Sequence, residues 1–191
     1  MSHRFGDKTT NGGGPTPVSE APVGGDRSPP GLTLVAASDI PLAPDEVHLA
    51  EWLSTLTSDD FRTACRSHVA LAHDFAGGIV TVEQLAGTLI VAHRREELSR
   101  PERIRLAAGA ADVFPPSGNC DPLRLVWDLT VRPNRDGGSY LHALSEIDPI
   151  ASMTRRLEAA LVVALQADLD EKVRGFAADL RRKYRPLSPR P

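Results

Sequence analysis

Asp148–Tyr184, DPIASMTRRLEAALVVALQADLDEKVRGFAADLRRKY, reads as one helical run in which Asp148 is placed to cap the first turn and Pro149 to start it. At about 1.5 Å per residue the run would be roughly 54 Å long. A body built from the rest of the chain, with a radius of gyration near 15 Å, would be only about 38 Å across. Projected at about 100° per residue, Ile150, Met153, Leu157, Ala160, Leu161, Ala164 and Leu165 form one apolar stripe. Leu169, Val173, Phe176, Leu180 and Tyr184 form a second, turned from the first by roughly 120°. Asp168 and Lys172 continue the first stripe as an i,i+4 ion pair suited to a solvated surface, and Gly175 is the weak point at which the helix could bend. The expectation is that the first half docks on the domain. The second stripe then becomes the interaction surface, either folded back after a bend or packed on a protein partner, most simply a second copy in a homodimer.

Upstream of this run, Leu123, Leu125, Trp127, Leu129 and Val131 alternate with Arg124, Val126, Asp128, Thr130 and Arg132, the period of a half-buried strand. Pro133 ends it, and Asn134-Arg-Asp-Gly-Gly138 has hairpin chemistry. Ser139–Glu146 can return as its partner or form a helical turn, and Leu32–Ala36, whose length also allows helix, is the available third strand. Between residues 44 and 116 the pattern reads as four short helices. Pro44 with Asp45 and Glu46 opens the first, which runs to about Leu56. Thr57 and Asp60 form a capping box for the second, carrying Phe61, Ala64, Cys65, His68, Ala72 and Phe75 and stopped by Gly77-Gly78. Thr81 and Gln84 cap a third that ends near Leu98, and Ser99 with Glu102 a fourth that ends before Pro115-Pro116. The predicted fold class is α+β, mainly α-helical: four short helices, a small antiparallel sheet of two or three strands, and the long C-terminal helix. Residues 32–185 form a single globular domain. Residues 1–31, rich in Gly and Pro, and residues 186–191 are expected to be disordered tails.

Composition narrows the functional classes. The chain is 41% hydrophobic but only 5% aromatic, so its core draws on Leu, Val, Ile and Ala. The net charge of -3 is too small to steer the protein to nucleic acid or an anionic membrane. Of the 22 basic residues nearly all are Arg, a bias that fits a GC-rich bacterial genome better than phosphate recognition. Cys65 and Cys120 stand in no paired motif, which fits a reducing cytoplasm. No run is apolar enough to span a bilayer as a helix, and the protein is expected to be cytoplasmic.

No catalytic or cofactor signature emerges. The six histidines, His3, His48, His68, His73, His93 and His142, offer no i,i+4 pair, so a helix-borne metal site fails on spacing. His68 is expected to be a hydrogen-bonded core histidine, and Cys120 a structural or incidental thiol. The leading expectation is a non-catalytic interaction or regulatory accessory protein that works through helical surfaces, with no cofactor and no metal. The alternative is a helix-turn-helix-like nucleic-acid-binding regulator built on Thr81-Val-Glu-Gln-Leu-Ala86. A thiol-dependent enzyme using Cys120, with His73 or His142 as base, ranks lowest.

Overall fold

In the computed structural model, which describes residues 31–74, 77–116, 122–149 and 159–184, seven antiparallel strands form one sheet. They are β1 (Leu32–Ile40), β2 (His68–His73), β3 (Ile79–Leu85), β4 (Thr88–Arg100), β5 (Arg103–Phe114), β6 (Leu123–Pro133) and β7 (Ser139–Pro149). The order is β1-β7-β6-β5-β4-β3-β2, a meander from β2 to β7 with β1 added beside the last strand. Two short helices, α1 (Leu49–Thr55) and α2 (Ser58–Ala64), connect β1 to β2, and α3 (Ala159–Tyr184) lies across the concave face. Register shifts within β2–β3, β4–β5 and β5–β6 curl the sheet around α3.

The mainly helical reading is therefore corrected. Its first helix survives as a 3₁₀ turn at Pro44–Glu46 followed by α1. The second keeps its capping box: Asp60 N donates to Thr57 Oγ1 and Thr57 N donates to Asp60 Oδ2, each at 3.1 Å. It stops at Ala64, and His68 to His73 form β2 instead. The third and fourth helices are strands β3, β4 and β5. Their apolar residues, Val82, Leu85, Ala86, Leu89 and Ile90, match a helical stripe only because a two-residue turn interrupts two alternating runs. Ala86 and Gly87, at φ 50° and 82°, form that turn between the paired Leu85 and Thr88, the left-handed pair that a tight hairpin requires. Thr81–Ala86 thus offers no helix to a helix-turn-helix. Strand β6 is as expected, and of the two readings left open for 139–146 and 32–36 the strand is the one found, as β7 and β1, but the sheet has seven strands rather than two or three.

Helix α3 is also corrected. Asp148 and Pro149 end β7 rather than starting a helix, and within its described span the helix continues through Gly175. A Cβ on Gly175 would collide with the Ala64 carbonyl oxygen, so glycine at this position lets α2 pack tightly on α3. Leu169, Val173, Phe176 and Leu180 are buried in the main core, and Leu165 and Tyr184 pack against it. Residues from both predicted stripes thus meet one interior along an unbroken helix. The expected partner surface is used within the chain. Ile150, Met153, Leu157, Cys120, both predicted tails apart from Gly31, and Phe75 lie outside the described residues. No helix among the described residues is long and apolar enough to cross a membrane.

Candidate functional site

The alternation of each strand decides what reaches the concave face. Thr81 and Glu83 on β3, Arg94 on β4, Trp127 on β6 and Ser145 on β7 are all buried. They face α3, whose Asp168, Leu169 and Lys172 join Glu83, Trp127 and Ser145 around a cleft. Its volume is about 50 Å³ measured to the centre of a water-sized sphere, enough for several waters at about 10–15 Å³ each on that measure. Leu34, Leu85, Ile90, Leu125, Ile147 and Leu165 supply the apolar walls, and Ser67 a further hydroxyl.

Lys172 is the unexpected member. Its side chain is 7% exposed, not solvated, and its Nζ donates to Glu83 Oε2 at 2.6 Å. Asp168 Oδ2 lies 3.5 Å away as the secondary partner. Arg94, with 1% of its side chain exposed, donates from Nη2 to Glu83 Oε1 at 3.0 Å and from Nε to Thr81 Oγ1 at 3.2 Å. Both cations also face the Trp127 ring, Arg94 Cζ at 3.7 Å and Lys172 Nζ at 4.8 Å from its centroid, where the ring quadrupole favours positive charge. Burial alone would raise the Glu83 pKa, but Lys172 and Arg94 outweigh it and hold the carboxyl well below the usual range.

His68 and Cys65 border this cluster. His68 stacks on Phe61 with ring centroids 3.5 Å apart, and its Nδ1 lies 2.6 Å from the Phe61 carbonyl oxygen. A carbonyl can only accept, so Nδ1 carries the proton and Nε2, which is buried without a partner, is an acceptor. The expectation of a hydrogen-bonded core histidine thus holds at one nitrogen, on a strand rather than a helix. Burial, then the charge of Lys172, pushes the His68 pKa down to about 4. Cys65 Sγ lies 3.4 Å from Asp168 Oδ1 and 3.2 Å from Ser67 Oγ, and burial pushes the thiol pKa up, which makes it a poor nucleophile.

A larger groove of about 400 Å³ runs between α2 and α3 past Asp60, Gly175 and Asp179. Its carboxylates are engaged from within: Asp179 Oδ2 accepts from Trp52 Nε1 at 2.8 Å, Asp60 Oδ2 accepts from Lys183 at 3.0 Å, and Arg182 reaches both acids. These contacts clamp α2 and α1 to the end of α3. No group of His, Cys, Asp and Glu among the described residues could hold a metal ion. Of the interaction residues singled out by sequence, Leu169 reaches the cleft, while Val173, Phe176, Leu180 and Tyr184 hold α3 against the core and helices. Glu83, Arg94, Lys172 and Ser145 are not among them. The signal that could have found Glu83 is the β-branched run Ile79-Val-Thr-Val82, which favours a strand and so puts position 83 on the same face as Ile79 and Thr81.

A curled seven-stranded antiparallel sheet with three helices matches a START/Bet v1-like fold. Three of the solved structures that share this fold illustrate it. They are TTHA0849 from Thermus thermophilus (15% identity over 82% of this chain and 99% of that one, TM-score 0.53), a conserved protein from Geobacillus kaustophilus (10% identity, 81% and 95%, TM-score 0.55) and the KanY protein (11% identity, 82% and 99%, TM-score 0.54). No family model matches the sequence, nor does any curated protein. At these identities the likeness establishes the fold alone.

Proposed function

We propose that this protein is a non-catalytic binding module that takes a small, mostly apolar molecule into the cleft between the curled sheet and α3. The observation that carries this reading is the cleft itself: apolar walls converge on a few buried polar groups, Glu83, Lys172, Ser67 and Ser145, the composition of a ligand site rather than of a packed core. An all-apolar core would be the simpler way to join sheet and helix, because burying two cations and two carboxylates brings little net stability. The modest volume favours a compact molecule over a long chain.

Trp127 lines the cleft and Trp52 does not, so a Trp52→Phe protein reports on the site by fluorescence. Cyclohexanol, a compact probe with one hydroxyl, is expected to shift Trp127 emission saturably. Ser145→Phe, which fills the cleft from β7, is expected to abolish the shift while circular dichroism stays unchanged. A saturable shift that survives the filled cleft would refute the assignment.

A further inference from the structure

We infer that the cleft selects uncharged ligands, because the buried ionic cluster beneath it is already neutralised from within. Resting on the ligand-binding reading above, this identifies the class of molecule the site takes. On the lining, Glu83 and Asp168 supply two negative charges and Lys172 one positive; Arg94, which lies off the lining and pairs with Glu83, supplies the second positive charge. Both Glu83 oxygens are engaged, Oε1 by Arg94 Nη2 and Thr81 Oγ1 and Oε2 by Lys172 Nζ. Asp168 is held by Lys172 on one oxygen and faces the Cys65 thiol with the other. Arg94 Nη1 is buried without a partner, but Arg94 lies off the lining. A carboxylate or an ammonium group entering the cleft therefore arrives as a net unpaired charge beside a balanced cluster, or must break an existing pair and strand one of its members. An alcohol, ketone or ether adds no charge. Ser67 and Ser145, hydroxyls on the same lining, can exchange hydrogen bonds with it as donor or acceptor.

The test uses three probes of one shape at neutral pH: cyclohexanol, cyclohexanecarboxylate and cyclohexylammonium, titrated against the Trp52→Phe protein. Cyclohexanol is expected to bind on the order of a hundredfold more tightly than either ion. Glu83→Gln leaves the cluster one charge positive, and the carboxylate probe should then gain about tenfold relative to the alcohol. Lys172→Met leaves it one charge negative, and the ammonium probe should gain instead. If either variant does not fold, the three-probe comparison in the parent protein decides alone. Either ion binding as tightly as cyclohexanol overturns the inference and leaves the binding reading standing. Failure of all three probes to bind overturns both.

Discussion

Replacing Lys172 with Met removes the cation from a buried carboxylate while keeping an apolar stem of similar length. Two descriptions of Lys172 predict different costs. As the i,i+4 partner of Asp168 on a solvated surface, the reading its sequence position suggests, its loss should cost about 0.2–1 kcal/mol. In the structure its side chain is 7% exposed and its main partner is Glu83, at 2.6 Å and itself 9% exposed. Breaking such a pair from one side costs about 3–5 kcal/mol. Arg94 and Thr81 still hold Glu83 Oε1, which places the expected loss near the lower end, about 3 kcal/mol. The pH dependence supplies a second check. Lys172 helps to depress the Glu83 pKa, so the stabilisation it provides is present above the unfolded carboxylate value of about 4.5. The deficit of the variant should narrow as the pH falls below that value, since protonating Glu83 removes the stranded charge. Urea unfolding of both proteins at neutral pH and near pH 4 measures both effects. A deficit below about 1 kcal/mol that does not change with pH would refute the buried-pair assignment.

The remaining predictions concern the frame around the cleft. Gly175→Ala should destabilise by about 2 kcal/mol in urea unfolding, because the added Cβ meets the Ala64 carbonyl oxygen; on a helix with nothing packed there it would stabilise instead by about 1 kcal/mol. Phe176→Ala should cost about 3–5 kcal/mol, since the ring is 1% exposed and packs against Trp52, Phe61, His68 and Trp127; a partner-facing ring would change self-association and leave monomer stability nearly untouched. His68, depressed from 6.5 to about 4, contributes stability that is complete above the unfolded value and is lost as the pH falls toward the folded one. Its loss should reach about 3 kcal/mol, and His68→Gln should flatten the decline between pH 6.5 and 4.5 seen by thermal melting.

Strand β6 was readable because Leu123 to Val131 alternate without a break, while the hairpin chemistry of Asn134–Gly138 still left its neighbours at 139–146 and 32–36 open between strand and helix. The β3–β4 hairpin was not, because Thr81 and Gln84 imitate a capping box and the Ala86-Gly87 turn, with no Asn or Asp, carries a weak local signal. Alanines at 107, 108, 110 and 111 point to helix by propensity, yet Ala108 and Ala111 are fully buried between strands and beneath Val113, Leu123 and Leu125, where small side chains let the sheet curl. The polar floor of the cleft was hidden for a different reason. Lys172, Glu83 and Arg94 lie on three separate elements, and a charged residue read along a single helix or strand looks solvated until its partners arrive from elsewhere in the fold.

The binding reading is tested most directly by NMR mapping of amide and indole shifts during a cyclohexanol titration. Ligand in the cleft should move the Trp127 indole together with the amides of Ser67, Ser145, Leu169 and Lys172, and leave Asp60 and Gly175 in place. Shifts confined to the α2–α3 groove, or none at saturating probe, would contradict it.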